Sequence, residues 1–300
     1  MPGLLQSLFK KQKKQTSQGQ PEMAAGEPEM PAQIPSAAIV RLEPPQLIAG
    51  CGHSIGKKRE HNEDAYFSLT ATLVSNASSV LFGLYIVADG MGGHKHGEIA
   101  SSLAVRAMSG YVMRGLHGLL FDLFPSSPNE SLQEIMEAGV QAAHQAVVKH
   151  TPGGGSTITG VIILGDQLVV AHVGDSRAYL IHPDQRIEAV TNDHSFVNRL
   201  VELGQISLDE AAVHPQRNVL YRALGQGEPV DVEITSLPLP LSSYILICSD
   251  GLWGTISEEE ILRIVSSTSS PPQACRELVE AANAAGGPDN ISAILVRLPD

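Results

Sequence analysis

The chain has 300 residues, enough for one large domain or two small ones, and 43% of them are hydrophobic, which suffices for a sizeable core. Its formal net charge of -12 argues against non-specific nucleic-acid binding and favours recruitment of cations. Three separated cysteines without a CxxC pair argue against a disulfide framework or a zinc cluster and indicate a reducing, cytoplasmic environment. No apolar run approaches the roughly 20 residues of a transmembrane helix.

Residues 1–45 differ in composition from the rest of the chain. A basic cluster at 10–14 is followed by a stretch rich in Pro, Gln, Glu, Ala and Met without periodicity, which predicts a disordered tail. A briefly amphipathic stretch at 3–9 precedes the cluster and leaves two interpretations open. It is either a short helix that docks on a partner or a membrane surface, or part of a solvated tail without a role.

From residue 46 to residue 300 the pattern is that of a folded domain. Apolar runs predict strands at 80–87, 156–164, 167–173, 178–182, 230–234, 244–248 and 291–296. Helical periodicity predicts helices at 98–113, 131–149, 195–203, 257–265 and 271–285. Gly165-Asp166 is a two-residue hairpin turn between two of the strands. Strands in hairpins and helices in pairs predict an α+β fold, with sheets covered by paired helices.

Four aspartates form a pattern that metal chemistry explains: Asp64, Asp89, Asp250 and Asp289. Three of them are interpreted as following a buried strand, whereas Asp289 precedes one. Carboxylates gathered from distant parts of a chain are unfavourable in a core unless their charge is compensated. A pair of hard divalent cations would compensate it.

The neighbours of these acids favour a phosphate site but keep alternatives open. Asp89 enters a glycine-rich loop, where it could bridge two metals while the Gly90 carbonyl completes one shell, or simply end a strand in a turn. Arg59 precedes Asn62-Glu63-Asp64, as a phosphate clamp or as a plain salt-bridge partner. A proton donor to the leaving oxygen could come from the loop histidines, His94 and His96, whereas His194 and His214 are assigned to structure.

Other hydrolase and nucleotide-binding classes lack their signatures. The chain contains no G-x-S-x-G motif, and the glycine-rich segment 153–157 has no P-loop lysine.

Taken in order, the motifs resemble those of one family over residues 48–298. They are Arg59 with Asn62-Glu63-Asp64-Ala65, Asp89-Gly90-Met91-Gly92-Gly93-His94 with Gly97-Glu98, Gly155-Ser156-Thr157, Gly174-Asp175-Ser176-Arg177, Thr191-Asn192-Asp193-His194-Ser195, Asn218-Val219-Leu220 with Arg222-Ala223-Leu224-Gly225, Ser249-Asp250-Gly251-Leu252 and Asp289-Asn290-Ile291. On these residues the chain resembles the metal-dependent protein phosphatases of the protein phosphatase 2C (PPM) family, prokaryotic branch. Each motif alone is weak, and their common order is specific.

The resemblance implies a four-layer α-β-β-α sandwich of two mainly antiparallel sheets flanked by helix pairs, with two Mn²⁺ or Mg²⁺ ions in a cleft. By this match Asp89 bridges the metals, Glu63 and the Gly90 carbonyl serve one, and Asp250 and Asp289 serve the other. Asp64 holds metal-bound water, Arg59 grips the substrate phosphate and Asn290 supports Asp289. The implied reaction is in-line attack on phosphorus by a metal-activated water.

The resemblance also implies a substrate and partners. The expected substrates are phosphoserine and phosphothreonine in proteins, with a Ser/Thr kinase as the opposing enzyme. Segment 196–227 matches the family's mobile flap beside the cleft and is expected to tune substrate access. Many prokaryotic members place a third-metal aspartate just before the Gly-[Ser/Thr]-Thr motif, and here that position is Gly153, which puts a third metal in doubt.

Two other functions remain open from the sequence. One is a catalytically weak phosphatase-fold protein that regulates or binds phosphoproteins, which the Gly153 departure motivates. The other is a phosphatase of small molecules on the same fold. Metal-dependent turnover separates the first from an enzyme, and a comparison of phosphopeptides with phosphorylated metabolites identifies the second.

Overall fold

The fold is known here from a computed structural model that describes residues 43–74, 79–93, 95–122, 130–227, 229–268 and 270–300. All of these belong to the compact unit Ile39–Asp300. The strands are β1 (Ile48–Ser54), β2 (Asp64–Val74), β3 (Ser79–Met91), β4 (Gly155–Ser156), β5 (Ile158–Leu164), β6 (Gln167–Val173), β7 (Arg177–Ile181), β8 (Ile187–Ala189), β9 (Glu233–Pro238), β10 (Tyr244–Cys248) and β11 (Ile291–Arg297). The helices are α1 (Lys95–Phe121), α2 (Leu132–His150), α3 (Phe196–Glu202), α4 (Leu208–Ala212), α5 (Asp250–Trp253), α6 (Glu258–Ser267) and α7 (Pro271–Ala284).

The strands form two antiparallel sheets. One has the order β1-β11-β10-β7-β8, and the other has the order β2-β3-β5-β6-β9, with β4 paired to β3. Gly165 adopts a positive φ of 60° in the predicted turn between β5 and β6, a conformation that glycine adopts without steric cost.

Three apolar clusters make four layers from these elements. The first joins α1 and α2 to the outer face of the β2–β9 sheet, through residues such as Met108, Met136 and Ile162. The second joins α6 and α7 to the outer face of the other sheet. The third lies between the sheets and includes Tyr85 and Ile247, both fully buried. The predicted α+β sandwich with flanking helix pairs is confirmed.

Several element predictions need correction. β1, β2, β8, α4 and α5 were not predicted, and the strand expected at 230–234 begins only at Glu233 and runs to Pro238. The first helix runs to Phe121 instead of 113, past Gly115 and Gly118. Leu116 and Leu120 are buried in this last part of the helix, and their packing offsets the low helix propensity of the glycines.

The glycine of β1 illustrates how closely α7 lies on the sheet. A Cβ at Gly50 would overlap the backbone of Pro271 and Pro272, where α7 begins. We therefore expect Gly50→Ala to lower the free energy of unfolding by about 1–3 kcal/mol, the usual range for overpacking, in chemical denaturation. Gly110→Ala is the matched control, because a Cβ in this position of α1 would meet only the tip of Arg114. That change should instead stabilise the protein by up to about 1 kcal/mol, and equal effects of the two would contradict the argument.

Two further predictions from the sequence concern membrane-spanning helices and the N-terminal tail. None of the helices in the described residues is both long and apolar enough to cross a membrane. The predicted tail, residues 1–45, lies outside the described residues except for its last three.

Candidate active site

The four aspartates converge from the two sheets. Asp64 is the first residue of β2 and is the register partner of Asp89 in β3. Asp250 begins α5 just after β10, and Asp289 precedes β11. The interpretation of Asp64 as following a strand was wrong, because the apolar residues that form β2 come after it. Asp89 lies within β3, which continues to Met91.

Three of these aspartates, Asp89, Asp250 and Asp289, line a cleft of about 280 Å³. Its lining residues are Arg59, Glu63, Asp89, Gly90, Met91, Gly92, Gly93, Thr157, Asp175, Asn218, Leu220, Asp250, Asp289 and Asn290. Every predicted metal-site and phosphate-site residue is therefore in the cleft wall except Asp64. Asp64 is buried, with 7% of its surface exposed, next to Asp250 and Asp289, whose charges raise its pKa.

Asn290 joins the loop that carries Arg59 and Glu63 to the start of β11. Its Nδ2 donates to the carbonyls of Ile55 (2.8 Å) and His61 (2.9 Å), and its Oδ1 accepts from the Glu63 amide at 2.8 Å. Its own amide donates to Asp289 Oδ1 at 2.8 Å. The buried Asn290 side chain thus fixes the Glu63 backbone and the loop before it, and the Asn290 backbone amide holds Asp289.

The Gly155-Ser156-Thr157 motif holds the end of β3. Thr157 Oγ1 accepts from the Asp89 amide at 2.9 Å, and the Thr157 amide donates to the Asp89 carbonyl at 2.8 Å. Ser156 Oγ donates to the same carbonyl at 3.0 Å. These bonds fix the Asp89 backbone, so the orientation of its carboxylate depends on a rigid strand instead of a loop.

Gly90 and Gly97 allow the start of α1 to lie against β3. A Cβ on Gly90 would overlap the Gly97 carbonyl, and a Cβ on Gly97 would overlap Glu63 Oε2. The Glu63 carboxylate therefore lies over the backbone of α1, beside the Gly90 peptide. Gly251 is also required for close packing, because a Cβ there would overlap the Asn290 carbonyl.

The electrostatics of the cleft are unfavourable without cations. Burial, followed by the charge of Asp289, raises the pKa of Asp250 to about 6, and burial together with the charges of Asp250 and Asp289 raises that of Asp64 to about 7. Burial, followed by the charges of Asp64 and Asp250, raises the pKa of Asp89 well above its usual range. Burial and Asp250 raise the pKa of Asp175 to about 8. Carboxylates with such shifts are concentrated at functional sites.

Two observations bear on whether divalent cations fit this cleft. Asp64 Oδ1 and Asp250 Oδ1 are buried without a hydrogen-bond partner, and oxygens of this kind are the ligands that Mg²⁺ and Mn²⁺ prefer. Among the residues that the structure describes, no three acidic, histidine or cysteine side chains are already grouped so that they could hold an ion. The donor set fits two cations, and binding would draw the carboxylates together.

Arg59 is placed at the mouth of the cleft, with half of its side chain exposed. Its guanidinium forms an ion pair with Asp289, which raises the pKa of Arg59. Arg59 thus forms a salt bridge in this conformation, which was one of the two interpretations of its position in the sequence. The ion pair with Asp289 keeps the Arg59 guanidinium at the cleft, within reach of a bound phosphate.

Asp175 is a site residue that the sequence analysis did not assign. It is partly buried and lines both the cleft and a second cavity of about 410 Å³ below the flap. Its carbonyl accepts from Trp253 Nε1 at 3.0 Å. The guanidinium carbon of Arg177 lies 3.5 Å from the centroid of the Trp253 ring, while Arg177 pairs with both oxygens of Asp193. Its place in the ordered Gly174–Arg177 motif was the signal that could have identified it.

The histidine predictions have different outcomes. His94 lies outside the described residues, and His96 lies in the first turn of α1 with an exposed side chain that does not line the cleft. His194 is buried and accepts from the Gly174 amide through Nδ1 at 3.1 Å, in agreement with a structural role. His214 is on the exposed flap, where its Nδ1 accepts from the Gln216 amide at 3.1 Å.

Gly153 lies in the loop between α2 and β4 with a φ of 83°, and a Cβ there would meet no atom within 4 Å.

The flap, segment 196–227, contains α3 and α4, each begun by a serine N-cap. It returns to the core at Leu224, which exchanges two backbone hydrogen bonds with Ser156. The flap is thereby attached to the same motif that holds Asp89.

The packing of Gly97 against Glu63 gives a testable consequence. We expect Gly97→Ala to displace the flexible Glu63 carboxylate and to weaken Mn²⁺ binding by about 10- to 100-fold, measured by calorimetry. Thermal unfolding of the metal-free protein should change little. In a Glu63→Ala background the same substitution should add almost nothing. Unchanged Mn²⁺ affinity in Gly97→Ala would contradict this role of the contact.

Comparison with known proteins agrees with this geometry. The family model described as protein phosphatase 2C matches residues 49–291. The serine/threonine phosphatase Stp of Listeria innocua is 35% identical over 241 residues, covering 80% of this chain and 92% of its own. The protein phosphatase PhpP of Streptococcus pneumoniae is 34% identical over 247 residues, covering 81% and 94%.

A solved structure extends the similarity to three dimensions. The catalytic domain of the serine/threonine protein phosphatase PstP, in complex with two manganese ions, superposes with a TM-score of 0.67 at 30% identity. The match covers 85% of this chain and all of that one. Because the family model matches residues 49–291 and these relatives are 34–35% identical over most of their own length, the chain belongs to the protein phosphatase 2C family.

Proposed function

We infer that this protein is a metal-dependent serine/threonine protein phosphatase, which hydrolyses phosphoserine and phosphothreonine on proteins. The observation that carries this inference is the cleft lined by Asp89, Asp250 and Asp289, in which desolvation and neighbouring charge raise the pKa values of Asp89 and Asp250, with Arg59 at its mouth. The similarity to Stp, PhpP and PstP, all named as phosphatases, supports the substrate class.

The residues of the cleft would form two cation-binding positions that share Asp89. Asp89, Glu63 and the Gly90 carbonyl would hold one cation, and Asp89, Asp250 and Asp289 would hold the other. When bound, two Mn²⁺ or Mg²⁺ ions supply a water that is nucleophilic near neutral pH and neutralise charge on the phosphoryl group.

The remaining groups act on water and substrate. Asp64 would orient water through Oδ1, the oxygen that has no hydrogen-bond partner. Arg59 would turn from Asp289 to the phosphate, for which the planar guanidinium offers two parallel donors. Asn290 would keep Glu63 and Asp289 in place.

Asp175 bears on the doubt about a third cation. Gly153 offers no carboxylate, but Asp175 lies near Asp250, whose charge raises its pKa after burial, and it lines the same cleft. Any further cation in this chain would therefore depend on Asp175 and Asp250 and not on the segment before Ser156.

The flap adds a role in substrate access to this proposal. The cavity of about 410 Å³ lies between α3, α4 and α5 and shares Asp175, Asn218, Asp250 and Asp289 with the cleft. A polypeptide whose phosphate occupies the cleft would therefore meet the flap, and segment 196–227 would decide which polypeptides enter.

The cellular setting belongs to the proposal as well. The enzyme would oppose a Ser/Thr kinase in the cytoplasm. Its three free cysteines support a reducing compartment of this kind. Residues 1–45 would dock on a partner or on an anionic surface through the basic cluster at 10–14. Unchanged partner or vesicle binding after deletion of residues 1–45 would remove the docking role.

The test is phosphate release from a phosphothreonine peptide with Mn²⁺, with Mg²⁺ and with EDTA, beside a panel of phosphorylated metabolites. We expect release from the peptide with either cation and none with EDTA. Turnover restricted to metabolites would assign a small-molecule phosphatase. No turnover by folded protein that binds Mn²⁺ would favour the weak, phosphoprotein-binding alternative.

A further inference from the structure

A chain of hydrogen bonds leads from the protein surface to the buried Asp64 carboxylate. It begins at His53, an exposed residue of β1 and the register partner of Ser292 in β11. His53 Nδ1 is 2.9 Å from Ser292 Oγ, and Ser292 Oγ donates to Asp64 Oδ2 at 2.7 Å. On the outer side, Asn62 Nδ2 is 2.7 Å from His53 Nε2.

The direction of every bond in this chain follows from one backbone amide. The Asp64 N–H can only donate, so the Asn62 atom 3.1 Å away is its carbonyl oxygen, Oδ1. The Asn62 amide nitrogen therefore points at His53 and must donate, which makes His53 Nε2 an acceptor. The His53 proton is then on Nδ1, from which it donates to Ser292 Oγ and leaves the serine hydroxyl to donate to Asp64.

Burial is consistent with this neutral form, since partial desolvation lowers the pKa of His53. The ring is also restrained by an edge contact with Tyr66, 5.5 Å between centroids. With the opposite tautomer, His53 Nδ1 would accept, and the Ser292 hydroxyl would be drawn away from Asp64. The tautomer of an exposed histidine thus decides whether the buried carboxylate keeps a donor.

Ser249 provides a second donor to Asp64 that does not depend on His53. Its Oγ donates to Asp64 Oδ2 at 2.7 Å and accepts from the Ser292 amide at 3.0 Å, so a backbone group fixes its direction. Both serine hydroxyls hold Oδ2, which leaves Oδ1 for the site.

We propose that His53 is a positioning residue of the phosphatase site, which acts through the Ser292 hydroxyl to hold Asp64 Oδ2 and so presents Oδ1 to the water and cations of the cleft. This role rests on the proposed function, in which Asp64 orients water. His53 itself touches neither substrate nor the reacting atoms. The hydroxyl of Ser292 transmits the effect of His53 to Asp64, whereas Ser249 holds Asp64 independently of His53.

Double-mutant cycles that combine a change at His53 with a change at Ser292 or at Ser249 test this proposal by enzyme kinetics. His53→Leu, which removes the Nδ1–H, should lower kcat on a phosphothreonine peptide by about tenfold with little change in KM. His53→Asn, whose amide places a donor near the Nδ1 position, should recover most of that loss. In a Ser292→Ala background His53→Leu should add almost nothing, whereas in a Ser249→Ala background it should have its full effect.

Two kinetic outcomes would overturn the proposal. One is a loss in His53→Asn as large as that in His53→Leu, because only the ring and not its donor would then matter. The other is an equal effect of His53→Leu in the Ser292→Ala and Ser249→Ala backgrounds, which would show a general effect on stability instead of transmission through Ser292.

A second measurement does not depend on activity. Nitrogen NMR of the metal-free protein with ¹⁵N-labelled histidine should show His53 as the neutral Nδ1–H tautomer, with its signal assigned by its loss in His53→Asn. An Nε2–H tautomer or a cation at neutral pH would overturn the proposal. If the wild type fails to hydrolyse phosphopeptides but shows the Nδ1–H tautomer, the proposed function fails while the hydrogen-bonded chain stands.

Discussion

Asp89→Asn is expected to reduce metal-dependent phosphate release by more than about 100-fold, beyond the usual cost of losing an outer partner of a metal site. The amide keeps the shape of the side chain but removes the charge that two cations would share. Asp250→Asn should have a similar effect, because Asp250 lines the same cleft as Asp89 and interacts with it directly. Release of phosphate from a phosphothreonine peptide at saturating Mn²⁺ measures both.

The same substitution should stabilise the metal-free protein while it abolishes activity. Asp89 is surrounded by Asp64, Asp250 and Asp175, whose charges disfavour its ionised form, so a neutral amide relieves repulsion. Thermal unfolding without metal should therefore occur at a higher temperature in Asp89→Asn than in the wild type. Asp184→Asn, at an exposed turn, should change neither property. Retention of more than a tenth of the wild-type rate in Asp89→Asn would contradict its assignment to the metal site.

The metal-free protein is expected to lose stability as pH rises from about 5 to 8. The pKa is raised to about 6 in Asp250, about 7 in Asp64 and about 8 in Asp175. Since these carboxyls hold protons in the native state at pH values where the unfolded chain has released them, the native state binds more protons across this window. Its free energy of unfolding then falls with pH, by at most about 1.4 kcal/mol per pH unit for each such group.

Urea unfolding at several pH values, in EDTA and in saturating Mn²⁺, measures this dependence. Bound cations favour the ionised carboxylates, so Mn²⁺ should flatten or reverse the slope. Asp175→Asn should reduce the slope in EDTA at the alkaline end of the range. Metal-free protein that becomes steadily more stable from pH 5.5 to 8 would contradict the electrostatic description of the cleft.

The strands that were missed show where local pattern is insufficient. β1 contains Gly50 and Gly52, which lower strand propensity. They are needed because α7 lies so close that a Cβ on either would overlap its backbone. β2 does alternate, and Phe67 and Leu69 pack against the α1–α2 cluster, but its half-exposed edge position weakens the apolar signal that identified β3.

Some residues of the candidate site were identified from the sequence, and others became apparent only from the structure. Arg59, Glu63, Asp89, Asp250 and Asp289 were selected from motifs, and the structure brings all of them to one cleft. Asp175 was quoted only as part of a motif, since nothing in its local sequence reveals that it lines the same cleft as Asp250. The importance of Ser249, Ser292 and His53 was equally hidden, because these residues act on Asp64 from positions far away in the chain.

The class of this protein follows from the sequence alone, because its ordered acidic motifs resemble those of one family of metal-dependent phosphatases and lie on strands in hairpins and helices in pairs. The tertiary structure decided which oxygens are held and which are left for ligands. Asp64 Oδ2 is bound by serines 185 and 228 residues away, and Gly97 leaves room for Glu63. Hydrogen bonds and close packing of this kind depend on distances in space, and motifs spaced along a chain do not contain them.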